Sequence, residues 1–197
     1  MEAHILTFLS TVLLLIISHF TQPLAAATAT TPNAYTTFIR TSCANTTYPS
    51  LCSKTLSPYA ADVKSNPLRL CNAALSVSLA SAINASATVS KFSLQKGILP
   101  RDATAIKDCI ENIGDSVDEL KQSLKAMSSI GRNANKQFQM ANVKTWTSAA
   151  ITDANTCTDG LAGTKVSAGV KSNIRSVIKS FIRVTSNALF LINHLNY

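Results

Sequence analysis

The sequence predicts an all-α fold: an up-down-up-down four-helix bundle preceded by an N-terminal helical hairpin, with two disulfides. Three observations carry that expectation. Apolar residues recur at alternating steps of three and four along most of the chain, the spacing of a buried helix face. No run rich in Val, Ile and Tyr alternates with period two, so no strand is expected. Pro32, Pro67 and Pro100 each stand at the head of a periodic segment, while Gly97, Gly160 and Gly163 follow the ends of others, which is where these residues start and stop helices.

The chain has 197 residues, enough for one domain with a real core. It opens on a nearly continuous apolar run from Ile5 to Phe20, followed by Thr21-Gln-Pro and Leu24-Ala-Ala-Ala27. This pattern reads as a secretory signal peptide over 1–27 with a small-residue cleavage site. Its n-region is atypical, carrying Glu2 and His4 but no Lys or Arg. No other segment is expected to cross a bilayer, so the mature chain has no membrane attachment and is expected to be secreted and extracellular. The remaining 28–197 is one domain, with a hairpin over about 31–64 and a bundle over about 66–195.

Thr31-Pro32 reads as an N-cap with proline at the first helical position, opening a short helix over Asn33 to Arg40. Cys43 and Cys52 then bracket a polar loop containing Pro49. A helix from Asn66-Pro67 to about Lys96 has Leu68, Cys71, Leu75, Leu79, Ile83, Val89 and Phe92 on its expected inward side. The next, from Pro100 to about Ser129, has the clearest seam of the chain: Ile106, Ile110, Ile113, Val117, Leu120, Leu124 and Met127. A polar connection over Arg132 to Gln139 leads to a helix around Ala141 to Asp159, where Trp146 is expected in the core. The last helix, about Thr164 to Leu195, repeats the seam with Val170, Ile174, Val177, Phe181, Val184, Ala188, Leu191 and Leu195. Four such seams joined by short connections make an antiparallel bundle.

Composition narrows the function. The formal net charge is +8 with 6% aromatics, and losing Glu2 with the leader raises the mature charge by one. Such a surface favours retention on a polyanion. Nucleic acid is excluded as a partner because the Lys and Arg residues are spread singly and lack aromatic interleaving. Asn45-Thr-Thr47 and Asn84-Ala-Ser86 are glycosylation sequons.

Five cysteines in a secreted chain allow two disulfides and one left over. Spacing favours Cys43–Cys52 as a local pair. Cys109 and Cys157 lie on consecutive antiparallel helices, where a staple is feasible and would contribute roughly 4 kcal/mol in the chain-entropy model. Cys71 faces the expected core, where a free thiol behaves as a small hydrophobe. Other pairings remain open on spacing alone. No metal is expected, since the cysteines lack ligand spacing and His194 is the single histidine of the mature chain.

Catalytic constellations are missing too. His194 lies three residues from the end, a poor place for a general base, and no G-x-S-x-G, phosphate loop or HExxH occurs. Neither an enzyme nor a cofactor is expected. What stands out is an acidic stripe on the Pro100–Ser129 helix, formed by Asp108, Glu111, Asp115 and Asp118 at helical spacing. Asp102 and Glu119 fall in the same segment, so this one helix concentrates the acidity of a basic chain and reads as a docking surface.

The Cys-x8-Cys hairpin, Asp108-Cys-Ile-Glu-Asn-Ile-Gly-Asp-Ser-Val-Asp-Glu-Leu120, Val143-Lys-Thr-Trp-Thr-Ser-Ala-Ala-Ile-Thr-Asp-Ala-Asn-Thr-Cys-Thr-Asp-Gly160 and Thr185-Ser-Asn-Ala-Leu-Phe-Leu-Ile-Asn-His-Leu195 together resemble the plant invertase and pectin methylesterase inhibitor family. The resemblance spans about Thr31 to Leu195. It implies a cell-wall protein that blocks the pectin-binding cleft of a pectin methylesterase through a non-covalent one-to-one complex. It implies the disulfides Cys43–Cys52 and Cys109–Cys157, and leaves Cys71 outside the shared pattern. By motif register, it implies partner contacts at Glu111, Asp115, Asp118 and Thr156. Invertase inhibition is the alternative. That branch has a Pro-Lys-Phe motif, whereas this chain reads Asn135-Lys-Gln-Phe138, which favours the methylesterase branch. A helical carrier of apolar ligands and an esterase pro-segment are weaker readings, and the positive remainder of the surface is expected to associate with anionic pectin.

Overall fold

The computed structural model describes residues 32–95, 97–130, 135–164 and 166–196. The signal-peptide reading of 1–27 and the cap at Thr31 lie outside them. In chain order, α1 is Pro32–Cys43, α2 is Pro49–Leu56, and a 3-10 turn at Ser57–Tyr59 precedes α3 at Ala60–Val63. The bundle follows as α4 (Pro67–Ser93), α5 (Pro100–Ser129), α6 (Lys136–Gly160) and α7 (Ala168–Asn193). No strand occurs among the described residues. Within the bundle α4 packs on α5 and α7, and α6 packs on the same two, so the helices form a ring in chain order with α5 and α7 diagonal to each other.

Local chemistry sets the boundaries. Asn66 Oδ1 accepts from the Arg69 amide at 3.0 Å, Asn135 Oδ1 from Phe138 at 3.3 Å and Ser167 Oγ from Val170 at 3.4 Å. Each satisfies an N-terminal donor that the helix itself cannot. The Asn135 cap corrects the sequence reading, because Lys136 to Gln139 belong to α6 rather than to a connection. α5 begins with Pro100 and carries Asp102 in its first turn, a favourable charge at the positive end of the dipole. Between α4 and α5, Gly97 adopts φ +87°, a left-handed conformation suited to glycine.

The buried faces differ from the expected seams in an instructive way. On α5, Ile106, Ile113, Leu120 and Met127 are fully buried as expected. Ile110, Val117 and Leu124 are only half-buried, and the positions buried in their place are Cys109, Ser116 and Ser123. α6 answers with Thr147, Ala150, Ala154 and Cys157. Small residues facing small residues let these backbones approach closely. Cys109 and Cys157 are joined with Cα atoms 4.2 Å apart, Ser116 Oγ donates to the Ala150 carbonyl at 2.9 Å, and Thr147 Oγ1 donates to Ser123 Oγ at 3.3 Å. Hydrophobicity alone therefore points about one face away from the true contact line.

The same effect corrects α4. Ile83 is 50% exposed rather than inward, and Ala74, Ser78, Ala82 and Ala85 are buried. α4 is also long and apolar enough to cross a membrane by length and composition, with a window of mean hydropathy 1.3, contrary to the sequence expectation. In the fold its small-residue face is spent against α5 and α7.

The hairpin is closed by its own bonds and held to the bundle by α7. Cys43 is bonded to Cys52, and Thr46 Oγ1 donates to the Cys43 carbonyl at 2.8 Å. Asn187 of α7, 3% exposed, grips the loop between α1 and α2. Its Oδ1 accepts from the Tyr48 amide at 2.9 Å, and its Nδ2 donates to the Tyr48 carbonyl at 3.0 Å. Arg183, one turn earlier, lies 5.5 Å over the Tyr48 ring, within cation–π range.

Candidate partner-docking site

α5 positions the acidic residues. With Ile106, Ile113 and Leu120 fixed inward, helical geometry turns the intervening Asp108, Glu111, Asp115 and Asp118 outward, and all four are exposed. Asp118 pairs with Lys121 at 2.9 Å. Both side chains are well exposed, so the pair contributes little stability. It is the one salt bridge among the described residues. Thr156 is exposed on α6, its hydroxyl donating to the Thr152 carbonyl at 3.0 Å. The register fixed by Cys109–Cys157 sets Thr156 level with Asp108 to Glu111. The four sequence-picked residues thus share the α5–α6 side of the bundle. Asp102, counted with them in sequence, is buried at the head of the helix.

One part of this side escaped the sequence reading. Glu119 is half-buried at the α5–α6 boundary, and its Oε2 atom is buried without a hydrogen-bond partner. Burial, then the charge of Asp153 on α6, a hydrogen bond with that same carboxylate, and the charge of Asp115 push the Glu119 carboxyl up to about 7. Protonated Glu119 can donate to Asp153 where two ionised groups would repel. The sequence signal was present: Asp153 is the acidic residue of α6 nearest its middle, and Glu119 lies four residues after Asp115.

The other candidates fall elsewhere. Cys71 is unbonded and buried, and burial pushes its thiol up to about 12, far from a reactive thiolate. His194 is held by its Nδ1 contact to the Phe190 carbonyl at 2.8 Å and stacks on the Phe190 ring at 4.0 Å. Trp146, expected in the core, is half-buried: it packs against the core and also lines an open groove with Gln122, Lys125 and Asn142. Asn45 and Asn84 are exposed. Among the described residues no group of three or more His, Cys, Asp or Glu is placed to hold a metal.

The site is therefore a disulfide-stapled helical bundle that presents a ridge of outward carboxylates on α5. A family model described as plant invertase/pectin methylesterase inhibitor matches residues 37–191. The chain is 40% identical over 173 residues to a 21 kDa protein of Daucus carota, covering 87% of this chain and 88% of that one. It is 44% identical over 161 residues to pectinesterase inhibitor 9 of Arabidopsis thaliana, with 79% of each covered. The crystal structure of a mutant form of a pectin methylesterase inhibitor from Arabidopsis shares the fold, with a TM-score of 0.61 at 21% identity over 80% of this chain and 97% of that one. This chain belongs to the plant invertase/pectin methylesterase inhibitor family.

Proposed function

We propose that the protein inhibits a pectin methylesterase by non-covalent, one-to-one occlusion of the esterase's pectin-binding cleft, so that wall pectin keeps its methyl esters. The observation that carries this reading is the rigid, exposed carboxylate edge of α5. Glu111, Asp115 and Asp118 project from a helix locked to α6 by the Cys109–Cys157 bond, Ser116 and Ser123. A preorganised edge loses little conformational freedom on binding, which favours affinity for polar and basic groups lining a cleft. Thr156 extends the edge from α6. Secretion through the 1–27 leader would deliver the chain to the cell wall, and Asn45 and Asn84 are accessible for glycan attachment there. No chemistry on the partner is needed, in keeping with a family of inhibitor proteins.

The test is titration of the mature, oxidised protein into purified pectin methylesterase and, separately, acid invertase. Stoichiometric loss of esterase activity is expected, with invertase unaffected. The double charge reversal Asp115→Lys/Asp118→Lys should weaken esterase inhibition by about 2–3 kcal/mol, or 30-fold or more. Full inhibition by the reversed variant would sink the assigned edge, and loss of invertase activity instead would move the chain to the other branch of its family.

A further inference from the structure

The basic residues look scattered in sequence, yet the fold lines four of them up. Lys171, Arg175, Lys179 and Arg183 recur at four-residue spacing on α7, the i±4n ridge of a helix. Successive cations stand roughly 6 Å apart along the axis. The helix contains no acidic residue. Lys171 Nζ is turned to the α6 end, donating to the Thr164 carbonyl at 2.9 Å and the Ala162 carbonyl at 3.3 Å, and Arg183 lies over Tyr48. Arg175 and Lys179 between them are exposed and in no salt bridge. Both line an open groove of about 520 Å³ between α6 and α7, together with Asn155, Ser172, Ser176 and one carboxylate, Asp159.

We infer that this ridge is a second binding surface, for an anionic polysaccharide whose charge is carried by sugar carboxylates. The spaced cations match a chain of repeated carboxylates. The amide of Asn155 and the hydroxyls of Ser172 and Ser176 supply hydrogen-bonding groups for the sugar hydroxyls between them. Other polyanions fit worse. From Ser172 to Arg183 every exposed side chain of α7 is Ser, Asn, Lys or Arg, so no apolar face enters a membrane, and no aromatic side chain lines the groove to stack on bases. Because α7 lies diagonally across the bundle from α5, the cations of the ridge stand on a different helix from the carboxylates of α5. The surface is independent of the inhibitory reading.

The test uses the mature protein on immobilised polygalacturonate, with fully methyl-esterified pectin and anionic phospholipid vesicles as the other arms. Retention on polygalacturonate alone is expected, lost with rising salt. Arg175→Glu/Lys179→Glu should lower affinity at least tenfold and flatten the dependence of log K on log salt by roughly one to two. The charge-matched Lys91→Glu/Lys107→Glu, at exposed sites on α4 and α5, should change affinity less than threefold. Thermal melting checks that both variants fold. Equal losses from the two double variants would reduce the effect to net charge and overturn the inference. Equal retention on the neutral pectin or on vesicles would overturn it as well. Esterase inhibition by the ridge variant is read separately, so failure of one proposal leaves the other standing.

Discussion

Asn187→Ala should open the joint between the hairpin and the bundle. Asn187 is buried in the middle of α7 and makes two hydrogen bonds to one backbone unit, that of Tyr48. Each is worth about 1 kcal/mol net, and stranding the Tyr48 amide adds a desolvation term that water partly relieves because Tyr48 is half-buried, while the Tyr48 carbonyl keeps the Cys52 amide at 2.9 Å. The sum is about 2–3 kcal/mol. For a domain of this size each kcal/mol moves the melting temperature by roughly 2–4 °C, so a fall of about 5–10 °C is expected in a circular-dichroism melt of the oxidised protein. Amide exchange at Tyr48 should accelerate in step. Asn187→Asp keeps the acceptor for the Tyr48 amide but turns an anion toward the Tyr48 carbonyl, and should be at least as damaging. A melting temperature within 1 °C of wild type, or an unchanged Tyr48 exchange rate, would refute the clamp.

Two further perturbations test the α5–α6 contact. The Glu119 carboxyl rises from 4.5 to about 7 on folding, so between those values the folded state holds a proton that the unfolded state has released. The contribution of Glu119 to stability is then fully present below pH 4.5 and is lost as pH rises through about 7. Solvent screening of the half-exposed group limits the change to about 1 kcal/mol. Melts across that window should show this decline in wild type and a flatter profile in Glu119→Gln, and superimposable profiles would remove the pair from the account. Ser116→Leu forces a branched side chain between closely spaced backbones and removes the Ser116 hydrogen bond to the Ala150 carbonyl. It should destabilise by about 2–4 kcal/mol and leave Cys109 and Cys157 partly reduced in a thiol assay. Ser116→Ala should cost about 1 kcal/mol, and a Leu variant that melts like the Ala variant would show that the helices are not closely packed there.

Much was legible in the sequence because its signals are local. Helical periodicity, the prolines at helix starts and the Asn66 cap follow from backbone chemistry within a turn or two, and they located the four long helices to within a few residues. The outward placement of Glu111, Asp115 and Asp118 was legible for the same reason, since the positions of Ile106, Ile113 and Leu120 dictate which way the intervening side chains turn.

What tertiary structure decided is which face meets which neighbour. Apolar spacing put Ile110, Val117 and Ile83 on the contact lines. The fold instead buries Cys109, Ser116, Ser123, Ala82 and Ala85, because small residues admit a neighbouring backbone and the gain from close packing outweighs the extra apolar area of a larger side chain. Pairings across long separations were equally out of reach: Asn187 with Tyr48 and Glu119 with Asp153 each join segments whose proximity no local rule encodes, though a polar residue in the apolar seam of α7 was a hint. The charge pattern shows the division most clearly. Acidity was visible on α5 as a stripe in one segment, whereas the basic ridge of α7 became a surface only when the ring of helices turned it outward, diagonally across the bundle from the acids.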